Sequence, residues 1–264
     1  MRVTHLAAVT LAGALLTVAP SPALRAQSAN PQQWRGTIAA GQAIEIKGVN
    51  GDIKAVAAPG GEVEVSAVMR GRRSNPAEVR IDVVQHGDGV TICAVYPSPD
   101  SRPNECQPGN GGRMNTKDND VSVAFTVRVP TGVRFIGKTV NGDVVAESLN
   151  GPTRVTTVNG DANFSTSSYG EATTVNGSIK AVMGSSDWSD PLKLHTVNGS
   201  IDVDLPADLS ADVRASTVNG TIGTDFPITI SGRVNPRSLR GTVGAGGREL
   251  SLESVNGSIT LRRR

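Results

Sequence analysis

The same short word returns seven times along this chain, as "KGVNGDI", "KTVNGDV", "TTVNGDA", "TTVNGSI", "HTVNGSI", "STVNGTI" and "ESVNGSI". The Val-Asn-Gly units begin at Val49, Val140, Val158, Val175, Val197, Val218 and Val255, with steps of 91, 18, 17, 22, 21 and 37 residues. A period near 20 points to stacked repeats, each copy burying its apolar face on the next. The step of 37 is close to two periods, and "SLRGTVG" at 238–244 reads as a degenerate copy filling it. The step of 91 leaves room for about five more copies.

Asn-Gly is the strongest short signal for a two-residue hairpin. In a hairpin, however, Val197 would face Ser200 and Thr196 would face Ile201, so both faces would mix apolar and polar residues and neither could be a core. Read as a continuous strand, the words sort by parity. Val49, Gly51, Ile53 and Ala55 share a side, as do Val140, Gly142, Val144 and Ala146; Val158, Gly160, Ala162 and Phe164; and Val175, Gly177, Ile179 and Ala181. Val197, Gly199, Ile201 and Val203 repeat the pattern, as do Val255, Gly257, Ile259 and Leu261, with Val218 and Gly220 in the equivalent places of the remaining copy. This predicts an inward ladder of those valines and glycines. The outward ladder is Asn50, Asn141, Asn159, Asn176, Asn198, Asn219 and Asn256. Glycine on the inner side lets the backbone bend or neighbouring backbones approach.

Three residues before each valine stands another small or apolar residue: Ile46, Gly137, Val155, Ala172, Leu194, Ala215 and Leu252. A spacing of three flips side-chain parity, so a corner is expected just before the valine, where a second strand begins. A strand, a corner and a strand, stacked copy on copy, make an all-β, parallel single-chain β-solenoid of about eight to ten rungs, spaced about 4.8 Å apart. An antiparallel β-sandwich is the main rival. It gives no reason to repeat the same letters, because each of its strands meets a different neighbour.

Composition agrees: aromatic residues are only 3% of the chain, and the Val, Ile, Ala and Thr that remain suit strands. Residues 1–26 read as a secretory signal peptide, with Arg2, the apolar run "LAAVTLAGALLTVA" and the small-residue cleavage site "ALRAQ". The run is shorter than the roughly 20 residues a spanning helix needs, and no second such run follows, so no membrane span is expected in the mature chain. Without Arg2 and Arg25 the chain holds 24 basic and 24 acidic residues, a balance that gives no argument for nucleic acid or anionic lipid. Residues 27–135 form an N-terminal β region, expected to continue the stack as irregular rungs or to cap it. Residues 136–264 carry most of the repeat. A Pro- and Gly-rich irregular loop spans 97–120, and loops of this kind are natural binding surfaces. Cys93 and Cys106 are the only cysteines. In an exported protein such a pair most simply forms a disulfide, worth roughly 3 kcal/mol for a ring of about 14 residues; the alternative is a reduced pair in a mobile loop.

The words "TVNGDV…TTVNGDA…TTVNGSI…STVNGTI…SVNGSI", behind a signal peptide and ending in "LESVNGSITLRRR", resemble a bacterial family of unknown function, the adhesin β-strand-repeat family. The resemblance covers roughly residues 40 to 262. It implies a parallel β-solenoid in an exported or envelope protein and brings no catalytic residues. The cysteine loop has no counterpart in the family pattern.

The chemistry on offer is sparse. Beyond the signal the histidines are His86 and His195, too few for an easily assembled Ser-His-Asp or Cys-His arrangement. His195 fills a place held by Thr or Ser in other copies and reads as a tolerated surface residue. No His-Glu-x-x-His, Walker loop or dinucleotide fingerprint occurs, so no cofactor is expected. Asp52, Asp143 and Asp161 share the position after Asn-Gly. Stacked about 5 Å apart, such carboxylates could hold Ca²⁺ or cleave a glycoside. Ser178, Ser200, Thr221 and Ser258 fill the same slot elsewhere, so polarity is the shared requirement, and no metal or catalytic site is assigned. Asn-Gly is also chemically labile to deamidation. The expected function is a non-catalytic, adhesin-like binding or scaffold module at the cell envelope, in the periplasm or at the surface, with an envelope protein or surface glycan as partner. A polysaccharide-acting solenoid enzyme and an envelope-stress signalling partner are the alternatives.

Overall fold

Strict alternation of buried and exposed side chains marks strands such as Ser122–Val129 and Ala211–Asn219, the signature of a sheet with one face on a core. The computed structural model describes residues 27–28, 32–230 and 235–264; the segment read as a signal peptide, 1–26, lies outside them. The described chain is all-β apart from a 3-10 turn at Pro76–Glu78. Its strands form two 11-stranded sheets. Their inward side chains meet in a shared apolar core, with Ile44, Phe135, Val155 and Leu194 from one sheet and Ile53, Val144, Phe164 and Ile201 from the other.

Each Val-Asn-Gly word joins a leading strand in one sheet to a trailing strand in the other. The leading strands are Ala43–Lys47, Arg134–Lys138, Thr153–Thr156, Gly170–Thr173, Leu192–Asn198, Ala211–Asn219 and Glu249–Asn256. The trailing strands are Ile53–Ala57, Val144–Leu149, Ala162–Thr166, Ile179–Met183, Ile201–Leu205, Ile222–Thr224 and Ile259–Arg263. Within each sheet these strands pair in parallel with like beside like, as Ile179 with Ile201, Ile201 with Ile259, and Asn198 with Asn256.

Stacking order departs from sequence order. The rungs lie as 43–57, 134–149, 153–166, 170–183, 192–205, 249–263 and 211–224. The last repeat in the sequence is thus inserted between two earlier ones: Leu192–Asn198 and Ala211–Asn219 both pair with Glu249–Asn256. Ile201–Leu205 and Ile222–Thr224 likewise both pair with Ile259–Arg263. At the other end a further rung precedes 43–57, with Gly89–Val95 parallel to Ala43–Lys47 and Ser122–Val129 parallel to Ile53–Ala57. Its corner is residues 96–121 in place of Val-Asn-Gly.

Antiparallel strands flank the parallel stack. Glu62–Gly71 lies on Ser122–Val129, Arg80–His86 on Gly89–Val95, and Gln32–Thr37 on Glu62–Gly71. At the far end Ser238–Val243 lies on Ala211–Asn219, and Ile228–Ile230 lies beyond it. Such strands cover edges that would otherwise template further pairing. Two expectations are corrected here. The "SLRGTVG" segment is an antiparallel flank and not a degenerate repeat. The 91-residue step holds one further parallel rung plus antiparallel strands instead of about five copies.

Candidate functional site

The corner runs through Val-Asn-Gly itself. In the fourth copy Thr174 is buried, Val175 and Asn176 are exposed, Gly177 is half-buried, Ser178 is exposed and Ile179 is buried. Two consecutive outward residues, Val and Asn, flip the parity between the sheets. The expectation that the valines form the inner ladder is therefore wrong. Val140, Val158, Val175 and Val218 are 38%, 36%, 36% and 56% exposed, and Val49, Val197 and Val255 are half-buried. The trailing strand starts at Ile53, Val144, Ile179, Ile201 and their equivalents, four places after the valine.

The inward place at the corner belongs to the residue before the valine: Thr139, Thr157, Thr174, Thr196, Thr217 and Ser254 are all buried, with Gly48 in the first copy. A buried hydroxyl is costly unless paired, and each of these donates to a glycine carbonyl one rung away. The acceptors are Gly51, Gly142, Gly160, Gly177, Gly257 and Gly199 in the same order, at 3.1, 2.8, 2.8, 2.8, 2.8 and 2.9 Å. Parity that sets each valine inward puts the residue before it outward, on the side of the asparagines, and so misses this ladder. The available signal was its recurrence: Thr or Ser stands before Val-Asn-Gly in every copy but the first.

Gly51, Gly142, Gly160, Gly177, Gly199, Gly220 and Gly257 are half-buried at the contact between rungs, outside the apolar core where they were expected. A Cβ on Gly177 would collide with the Gly160 carbonyl oxygen, and one on Gly199 with that of Gly177. The repeat needs glycine there because backbone meets backbone.

Outward of these lies a continuous side-chain ladder. Asn141 Nδ2 donates to Asn50 Oδ1 at 2.8 Å, Asn159 to Asn141, Asn176 to Asn159 and Asn198 to Asn176, each at 2.8 Å. Asn256 donates to Asn198 at 2.7 Å, and Asn219 to Asn256 at 2.8 Å. A second outward row follows the glycines. Asp52 accepts the N–H of Asp143 at 2.9 Å, Asp143 that of Asp161 at 2.8 Å, and Asp161 that of Ser178 at 2.8 Å. Ser178 and Ser200 then accept the N–H groups of Ser200 and Ser258 at 3.3 Å. The carboxylates thus serve as rung-to-rung acceptors, a role that serine also fills. Among the described residues no group of three or more His, Cys, Asp or Glu side chains comes together as a metal site would require.

The irregular corner is fastened to the outer face of the leading sheet. Cys93 and Cys106 are bridged, with Cα atoms 5.7 Å apart. Tyr96 O–H donates to the Val121 carbonyl at 2.9 Å, joining the two ends of the segment, and burial pushes its phenol up to about 12. Buried Asn104 donates to the carbonyls of Tyr96 and Asn115 at 2.9 and 2.8 Å and accepts the Asn115 N–H at 2.7 Å. Beneath the loop lies Glu45, 3% exposed. Its Oε1 is 2.8 Å from Lys138 Nζ, and its Oε2 accepts the Gly109 N–H and the Thr91 hydroxyl, both at 2.9 Å. Burial pushes this carboxyl up, but Lys138, the Gly109 N–H and Thr91 outweigh it and hold Glu45 below its ordinary range. Lys47 Nζ donates to the carbonyls of Gln107, Gly109 and Gly111 at 2.8, 3.2 and 2.8 Å, and burial lowers its pKa. His86 Nε2 lies 3.1 Å from Thr91 Oγ1. His195 stands beside Glu253, Nδ1 to Oε2 3.4 Å. The hydrogen bond from Lys193 holds Glu253 below its ordinary range.

Among the described residues no helix is long and apolar enough to cross a membrane. A family model described as Toastrack DUF4097 matches residues 110–262. No curated protein matches the chain. Solved structures similar to it include a candidate cell adhesion protein from Clostridium sporogenes, 10% identical over 89% of this chain and 100% of that one, with a TM-score of 0.46. A candidate adhesin from Bacteroides fragilis is 12% identical over 89% of this chain and 97% of that one, with a TM-score of 0.35. A candidate lipid binding protein from Parabacteroides distasonis is 11% identical over 89% and 97%, with a TM-score of 0.24. With more than half of its length matched by that family model, the chain belongs to the Toastrack DUF4097 family.

Proposed function

We propose that this chain is an exported, non-catalytic β-solenoid that presents its Val-Asn-Gly ridge as a binding or scaffold surface at the cell envelope. The observation that carries the reading is the unbroken ladder from Asn50 to Asn219, in which neighbouring amides hold one another in place. Each amide between the two ends spends one N–H and one acceptor site on its neighbours and keeps a second N–H for a ligand. Beside it runs a strip of exposed valines. A preorganised row at one rung's interval, about 4.8 Å, suits an extended partner: a strand-like segment of an envelope protein or a linear surface glycan. The Cys93–Cys106 bridge fits an oxidising compartment outside the cytoplasm.

The test compares the wild-type chain with a variant carrying Val140→Ser, Val158→Ser and Val175→Ser, on a glycan array and on immobilised envelope fractions. Binding by wild type with a loss of about tenfold or more in the variant, about 1.4 kcal/mol, supports the ridge. Equal binding by both places the contact elsewhere. Shortening of a captured polysaccharide would favour the enzymatic alternative. Fractionation of cells expressing the full chain tests export, which recovery in the cytoplasm alone would contradict.

A further inference from the structure

Asn-Gly is prone to cyclise because glycine has no Cβ to hinder attack by its nitrogen on the preceding side-chain amide. Two groups must be free: the Gly amide nitrogen, which has to lose its proton, and the Asn side chain, which has to turn until its Cγ reaches that nitrogen. The stack engages both in all but one of its Val-Asn-Gly copies. The N–H groups of Gly51, Gly142, Gly160, Gly177, Gly199 and Gly257 donate to the backbone carbonyls of Asn141, Asn159, Asn176, Asn198, Asn256 and Asn219, at 2.8 to 3.0 Å. The Oδ1 atoms of Asn50, Asn141, Asn159, Asn176, Asn198 and Asn256 each accept the amide of the next rung.

The end rung departs from both patterns. Asn219 donates to Asn256, but among the described residues nothing donates to Asn219 Oδ1 and nothing accepts the Gly220 N–H. Val218 beside it is 56% exposed, against 36–38% for Val140, Val158 and Val175. Neither of the two other Asn-Gly pairs has both groups open. Asn110 Oδ1 accepts from Lys138 while the Gly111 N–H donates to Pro108. Asn150 Oδ1 accepts from Ser167, and Gly151 is buried.

We propose that Asn219 is a site of spontaneous deamidation, the Asn-Gly pair that stacking leaves open. The Gly220 nitrogen gives its proton to hydroxide and attacks Asn219 Cγ. The new C–N bond closes a succinimide as the Cγ–Nδ2 bond breaks and ammonia leaves. Water then adds at either ring carbonyl and that carbonyl's bond to the ring nitrogen breaks, the nitrogen regaining its proton, giving aspartate or isoaspartate with no change in oxidation state. Either product puts a carboxylate at the end of the amide ladder. Isoaspartate also lengthens the backbone at the corner between Ala211–Asn219 and Ile222–Thr224, which shifts the edge strand.

The experiment incubates the folded chain at mildly alkaline pH and follows every Asn-Gly peptide by digestion and mass spectrometry, beside the same chain held in urea. The folded chain is expected to convert Asn219 at least about tenfold faster than any other Asn-Gly, since the others need local opening first; in urea the rates become comparable. Asn219→Gln removes the fast conversion and leaves the slow ones unchanged. Faster conversion at another ladder position, or an Asn219 as stable in the folded chain as its neighbours, overturns the proposal.

Discussion

Thr174 Oγ1 donates a 2.8 Å hydrogen bond to the carbonyl of Gly160 on the neighbouring rung, from a side chain with no exposed surface. Removing only the donor leaves that carbonyl without this partner, a loss of about 1–3 kcal/mol. Thr174→Val, which keeps the shape, is expected to lower unfolding free energy in urea by that amount. Val175→Thr, one residue on and facing outward, should change it by less than about 0.5 kcal/mol. The reverse ranking would mean that valine, not threonine, points inward.

Glycine is needed where rungs touch and not merely wherever it occurs. Gly177→Ala pushes a methyl into the Gly160 carbonyl oxygen, whereas Gly223→Ala meets nothing within 4 Å. The first change should cost about 3 kcal/mol or more through overpacking against rigid backbone. The second should be neutral or stabilising by up to about 1 kcal/mol through the unfolded chain. Thermal unfolding of the two variants side by side makes the comparison.

The fastening of the loop should depend on pH in opposite senses at the two ends of the scale. Glu45 is held below its ordinary value of 4.5 in the folded chain. Its contribution is complete above that value and is lost as pH falls through the depressed one. Tyr96 is raised from 10.0 to about 12, so its contribution is complete below pH 10 and is lost as pH rises towards 12. Limited proteolysis within residues 97–120 should therefore accelerate in acid and again in strong alkali. Glu45→Gln should flatten the acid limb and leave the alkaline limb in place.

Reduction of the Cys93–Cys106 bridge should be slow in the native state, because the sulfurs belong to side chains only 1% and 9% exposed. Once a denaturant admits the reductant, the chain should refold with roughly 3 kcal/mol less stability. Thiol titration with and without urea checks the first point, and unfolding of a Cys93→Ala, Cys106→Ala chain checks the second.

Much of the architecture was legible because a repeated word implies a repeated environment. The strands after the corner, such as Ile201–Leu205, and the outward Asn positions could be read from alternation alone. Alternation failed at the corner, since Val175 and Asn176 both face outward and a period of two cannot represent that step. Thr174 was misread because a hydroxyl looks like a surface group until the carbonyl that accepts from it is known. Rung order was illegible for a different reason. Copies this alike fit on one another in any order, so nothing local says that 249–263 belongs between 192–205 and 211–224. The sites of the antiparallel flanks, Glu62–Gly71 and Ser238–Val243, depend on the same long-range choice.

The order of the ladder is tested most directly by cysteine pairs. Asn198 stands directly beside Asn256, and Asn219 stands on its far side. Neighbouring rungs are about 4.8 Å apart, within the separation of about 7 Å that a disulfide can bridge; two rungs are not. Under mild oxidation, a chain carrying Asn198→Cys and Asn256→Cys should form the new bridge nearly quantitatively, and one carrying Asn198→Cys and Asn219→Cys should not. Efficient bridging of the second pair with none of the first would mean that the repeats stack in sequence order, contradicting the inserted C-terminal rung.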